Sequence, residues 1–168
     1  MAGGAENDSG QLVVSGSEVT ASLTGSADQT FSAREVEQLI FIGFGGDDTF
    51  DNGTAIPSRL IGGDGNDTLS GGSGEDIING GRGDDELRGR GSSDRIVGHT
   101  GADMIFGDAG DDLLLGGSGL NEIYGIGHNL GLEHSGANGN LMQENSDGTS
   151  LEQYQIDILR ESRFTGAR

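Results

Sequence analysis

From Gly62 the chain reads GGDGNDTLS, GGSGEDIIN, GGRGDDELR, GRGSSDRIV, GHTGADMIF, GDAGDDLLL and GGSGLNEIY, seven blocks of nine residues that end at Tyr124. Glycine opens every block. The sixth place holds Asp67, Asp76, Asp85, Asp94, Asp103, Asp112 and then Asn121. The eighth holds Leu69, Ile78, Leu87, Ile96, Ile105, Leu114 and Ile123, always a branched aliphatic residue. Upstream, Gly53 to Ile61 keeps the phase with Leu60 but carries Ser58 at the aspartate place. Gly43 to Asp51 has Asp48 and Phe50 in position, followed by Asn52 as a one-residue insertion. Three columns held in phase over this length make an internal repeat, which decides the fold.

The residue types say what each unit does. Six residues of glycine and small polar groups form a tight turn, with glycine where φ is positive. Three residues centred on an apolar one form a short strand whose central side chain points to one face. One unit cannot cover that face, so units must stack. Two units make a coil, and stacked coils set the strands in two parallel sheets around a thin core of eighth-position side chains.

Composition alone points elsewhere. Of 168 residues, 34 are glycine and 28 are acidic against nine basic, all arginine, for a net charge of -19. Such a chain reads as disordered until the period is seen. The charge argues against nucleic acid and anionic membranes as partners and in favour of cations. A single proline excludes collagen, and the lack of cysteine excludes disulfides and thiolate zinc sites. No apolar run reaches the ~18 residues of a membrane span. Met1 to Gly10 has neither the basic start nor the apolar core of a cleavable signal peptide.

At isolated turns the aspartates would be polar turn formers. Stacking changes their role, because it lines carboxylates up along each edge at a coil spacing near ~4.8 Å, where like charges repel. A hard divalent cation neutralises them and takes oxygen ligands, which glycine-rich turns supply as exposed carbonyls.

The block resembles the repeats-in-toxin family, whose nonapeptide G-G-x-G-x-D-x-U-x forms a calcium-loaded parallel β-roll. The resemblance covers Gly43 to Tyr124. It implies calcium between turns of adjacent coils on one edge, hence at every second repeat. One edge then pairs Asp48 with Asp67, Asp67 with Asp85, and Asp85 with Asp103. The other pairs Asp76 with Asp94 and Asp94 with Asp112. Asp103 with Asn121, and Ser58 with Asp76, make weaker sites. The backbone carbonyls of Gly63, Gly65, Gly72, Gly74, Gly81 and Gly83 join the ligand set. The block holds 16 acidic residues and 5 arginines, and about five calcium ions nearly balance that net -11.

The flanks are less regular. Residues 11–42 alternate in short runs (QLVVSG, SEVTASLTG, VEQLIFIG) and read as strands that cap the first coil and shield Leu39, Ile40, Phe41 and Ile42. After Tyr124, GIGHNLGLEHSGANGNLM resembles the second half of the metzincin zinc-peptidase signature, with His128, Gly131 and His134 in place and Met142 as the turn methionine. Tyr124 and Gly125 replace the first histidine and the catalytic glutamate, so His128 and His134 could hold zinc only weakly and no general base is at hand. Thr149 to Glu152 is a capping-box pattern, and Leu151, Tyr154 and Ile158 share one face of a short amphipathic helix. That helix either packs on the end of the roll or serves as an uncleaved C-terminal secretion signal, as relatives' tails do.

The expected protein is all-β: a right-handed parallel β-roll over residues 43–124, an N-terminal β cap over 1–42, and a mixed, partly helical tail over 125–168. The resemblance implies a secreted module, exported without a cleaved signal peptide, that folds and scaffolds on extracellular calcium. A larger parent polypeptide and a secretion apparatus are its expected partners. Two alternatives stay open: a fragment or degenerate form of a zinc metallopeptidase, and an adhesive or carbohydrate-binding module. The outward positions show no aromatic ladder or threonine array to favour the latter.

Overall fold

The computed structural model describes residues 1–2, 4–126 and 141–142. Among the described residues every regular element is a strand. They are β1 (Ser9–Ser15), β2 (Glu18–Leu23), β3 (Gln29–Ser32), β4 (Leu39–Gly45), β5 (Thr49–Asn52), β6 (Ser58–Asp64), β7 (Thr68–Ser70), β8 (Ile77–Arg82), β9 (Glu86–Gly91), β10 (Arg95–Thr100), β11 (Met104–Ala109), β12 (Leu113–Ser118), β13 (Glu122–Ile126) and β14 (Leu141–Met142). The expected C-terminal helix lies outside the described residues.

Successive strands alternate between two sheets, as a nine-residue half-coil requires. One sheet runs β12-β10-β8-β6-β4, and the other runs β14-β13-β11-β9-β7-β5-β1-β2-β3. From β4 to β13 every pairing is parallel and joins strands one coil apart. The fold is a parallel β-solenoid.

The eighth-position column is the core. Phe41, Leu60, Ile78, Ile96 and Leu114 from one sheet face Phe50, Leu69, Leu87, Ile105 and Ile123 from the other, each at most 1% exposed. Register keeps like above like: Leu60 sits opposite Ile78, and Ile78 opposite Ile96. The column ends in a stacked pair, Phe41 on Phe50 with centroids 4.6 Å apart. Leu12, Val19 and Leu39 close the core beyond them.

Most roll strands are longer than the three residues expected, β7 alone keeping that length. β8 to β12 each run through the first glycines of the next block, so only about three residues per repeat turn the corner. Two conformational demands explain the glycines. At the second and fourth places of most repeats φ is positive, as at Gly63 (125°) and Gly65 (133°), the block of Gly72 and Gly74 being an exception. At the first place the reason is space: a Cβ on Gly62 would overlap Asp67 Oδ2 and lie 2.7 Å from the Gly80 carbonyl. Where the motif lapses, other residues take the strained backbone, among them Arg90 (φ 80°), Ser92 (75°) and His99 (81°).

The N-terminal strands extend one sheet. β1 lies parallel to β5, and β2 and β3 fold back on it as an antiparallel meander. The free edge of β4 is lined by Ala2, bridged to Ile42, and by the Met1 ammonium, which donates to the Ile40 carbonyl. Leu39 and Phe41 are buried, whereas Ile40 stays exposed on the outer face, against the expectation that the cap shields it. The Asn52 insertion is absorbed by burial: its Nδ2 donates to the Ile56 carbonyl, and its Oδ1 accepts from the Thr54 hydroxyl at 2.7 Å.

Candidate metal centre

Every sixth residue sits where a turn enters a strand, so stacking the coils stacks these side chains. On one edge Asp48 N–H donates to Asp67 Oδ1 (2.8 Å), Asp67 N–H to Asp85 Oδ1 (2.9 Å), Asp85 N–H to Asp103 Oδ1 (3.1 Å) and Asp103 N–H to Asn121 Oδ1 (2.8 Å). On the other, Ser58 N–H and its hydroxyl both donate to Asp76 Oδ1, Asp76 N–H donates to Asp94 Oδ1, and Asp94 N–H to Asp112 Oδ1. The structure thus brings together each pair named from the sequence. Each carboxylate reaches back one coil and holds the preceding turn by its amide.

That bond uses one oxygen. The second oxygen of Asp48, Asp67, Asp85, Asp94, Asp103 and Asp112 is buried without a partner. Asp76 differs, since its Oδ2 accepts from Gly72 N–H at 2.7 Å. All seven aspartates are at most 5% exposed. Ion pairs join Arg82 to Asp64, Arg88 to Asp108 and Arg90 to Asp51, and among the described residues none reaches a sixth-position carboxylate.

Burial is the main force on these groups. It lifts Asp67 to about 6 and Asp85 and Asp94 to about 7, against the opposing effect of the amide bond each accepts. Neighbouring carboxylates push the same way: Asp103 and Asp67 act on Asp85, and Asp76 and Asp112 on Asp94. Asp48, Asp76, Asp103 and Asp112 are also raised, first by burial. Buried like charges at neutral pH are expensive unless something neutralises them.

Backbone oxygens are stacked in the same turns. A Cβ on Gly81 would overlap the Gly63 carbonyl, one on Gly83 the Gly65 carbonyl, and one on Gly101 the Gly83 carbonyl, so these oxygens aim from coil to coil. The Gly72 carbonyl instead accepts from Gly91 N–H (3.2 Å), and the Gly81 carbonyl from the Thr100 hydroxyl (3.4 Å). Gly74 stacks over Ala55, whose carbonyl would lie 2.6 Å from an added Cβ. Among the described residues no three His, Cys, Asp or Glu side chains converge on one point. Carboxylates arrive one per coil, so a cation here needs carbonyls beside them. Unpaired carboxylate oxygens with carbonyls alongside suit a hard, oxygen-seeking ion such as calcium.

Two features escaped the sequence reading. A second ladder runs through the fifth position: Asn66 N–H donates to Asp47 Oδ1, Asp84 N–H to Asn66 Oδ1 and Ala102 N–H to Asp84 Oδ1, each at 2.8 Å. The N-D and D-D pairs in the turns were its only signal. The outer face also carries an aromatic stack after all. Phe106 and Tyr124 lie in ninth positions with centroids 4.8 Å apart, and Arg88 covers Phe106. Two ring faces are turned on each other and a third is under a guanidinium, so the stack braces adjacent coils.

The zinc-peptidase resemblance of the tail gains no support. His128 and His134 lie outside the described residues. Met142 is in β14, opposite Ile123 of β13, where the resemblance calls for a turn.

Comparison with curated proteins and with solved structures finds no match. Comparison with protein families does: the RTX calcium-binding nonapeptide repeat (4 copies) matches residues 58–87 and again residues 88–123. With its columns of turn aspartates on a parallel solenoid, this stretch of the chain is similar to RTX calcium-binding nonapeptide repeats in both sequence and fold.

Proposed function

We propose that the roll is a calcium-switched folding and scaffolding module of a secreted protein. Calcium would bind between stacked turns, with sixth-position carboxylates and the turn carbonyls as ligands, about five ions in all. The observation that carries this reading is the column of buried Oδ2 atoms without partners. Those charges oppose folding until a cation enters, so binding free energy becomes folding free energy. The core cannot compensate alone, since it offers one apolar side chain per nine residues in a glycine-rich chain. A chain of this kind stays expanded where calcium is scarce and folds after export, where calcium is abundant. Circular dichroism through a calcium titration and after chelation tests it. The strand signal is expected to appear with calcium and disappear with chelator; an unchanged signal after thorough calcium removal sinks the switch.

A further inference from the structure

The turn column on the first edge does not begin at Asp48. Asp8 stands 40 residues upstream, where neighbours elsewhere in the column are 18 or 19 apart, yet it occupies the next place. Asp8 N–H donates to Asp48 Oδ1 at 2.7 Å, as Asp48 N–H does to Asp67 Oδ1. The Asp8 carbonyl accepts from Thr49 N–H, as the Asp48 carbonyl accepts from Thr68 N–H, both at 2.8 Å. Asp47 N–H donates to Asn7 Oδ1, as Asn66 N–H does to Asp47 Oδ1. Glu6 takes the fourth place of the turn: a Cβ on Gly46 would lie 2.8 Å from its carbonyl oxygen, as one on Gly65 would meet that of Gly46. β1 then continues as a roll strand, with Ser9 opposite Thr49.

In sequence, Gly4 to Gln11 reads GAENDSGQ, which keeps the turn but has Gly10 in place of the apolar eighth residue. That glycine is required, because a Cβ there would lie 2.8 Å from the Phe50 ring that closes the core. The β2–β3 meander fills the extra chain between this turn and the next.

We infer that residues 4–8 are a displaced repeat turn and that, with the turn ending at Asp48, they form a calcium site of their own outside the matched repeats. The inference rests on the calcium reading above. Asp48 is 1% exposed, its Oδ1 is held by the Asp8 amide, and its Oδ2 has no partner. Asp8, half-buried with its Oδ2 on Gly4 N–H, brings a second carboxylate to the same column, and Glu6 brings a carbonyl. Oxygen donors of this kind take a hard divalent cation.

The test is a calcium count on the full chain by native mass spectrometry, with affinities from calorimetry. Asp8→Ala is expected to bind one calcium ion fewer than wild type, with the others unchanged. Asp8→Asn keeps an acceptor for Gly4 N–H and is expected to fold while binding that one ion at least ~10-fold more weakly. Glu18→Gln, at an exposed position of β2, is expected to match wild type. If Asp8→Ala fails to fold, Asp8→Asn decides. Wild-type counts and affinities in Asp8→Asn would overturn the inference and leave the roll reading intact, whereas a wild type that binds no calcium overturns both.

Discussion

Asp85 sits in the middle of its column and separates the two roles a turn aspartate can have. Its Oδ1 holds the Asp67 amide at 2.9 Å, and its Oδ2 is buried without a partner. Asp85→Asn keeps the first and discards the charge, and the chain itself shows that asparagine fits, since Asn121 accepts the Asp103 amide in the same geometry. Asp85→Ala discards both. With calcium, the asparagine loses a charged ligand from the sites above and below it, about 1.5 kcal/mol each, or about 3 kcal/mol together. Spread over about five ions taken up in one folding step, at 1.4 kcal/mol per tenfold, that raises the calcium midpoint about threefold. Alanine also orphans the buried Asp67 N–H, which adds about 2 kcal/mol and brings the rise to about fivefold. The assay is a calcium titration followed by far-ultraviolet circular dichroism, with Asp111→Asn, an exposed carboxylate beside the other column, as the control. If Asp85→Asn titrates like wild type while Asp85→Ala shifts, the carboxylate is only a turn former and the ligand assignment fails.

Acid is expected to act in opposite directions with and without metal. Because the folded-state values of Asp67, Asp85 and Asp94 are raised to about 6–7, the folded roll holds more protons than the unfolded chain above pH 4. In chelator its stability is therefore greatest below the ordinary carboxylate value and is lost as pH rises through 6–7, which circular dichroism against pH will show; with calcium, the midpoint should rise as pH falls, because protons compete for the same oxygens. Among the glycines, Gly62→Ala is expected to destabilise the calcium-loaded roll by about 2–4 kcal/mol, since its Cβ would displace Asp67 Oδ2. Gly45→Ala, whose Cβ would meet nothing closer than 3.5 Å, should cost less than about 1 kcal/mol, and equal losses in thermal unfolding would refute this account of the first-position glycine.

How far the sequence could be read follows from what repeats in it. The period, the eighth-position core and the pairing of Asp67 with Asp85 or Asp76 with Asp94 are local regularities, and stacking turns each into a column without further information. The strand length was not legible, because a glycine pair reads as turn although Gly62 and Gly63 continue the β4–β6 ladder. The Phe106–Tyr124 stack was missed because its members are 18 residues apart and recur in only two coils.

Taken alone, the sequence determined that residues 43–124 are a coil of nine-residue half-turns with acid at most corners, since a strict period leaves a stacked fold one way to bury its single apolar column. Tertiary structure decided which oxygens are spent and which are spare. An aspartate at a turn has two, and only the neighbouring coil shows that one is taken by an amide while the other is buried unpaired. Tertiary structure also placed Asp8, whose relation to Asp48 has no period to betray it and exists only because β1 returns to the edge of β5.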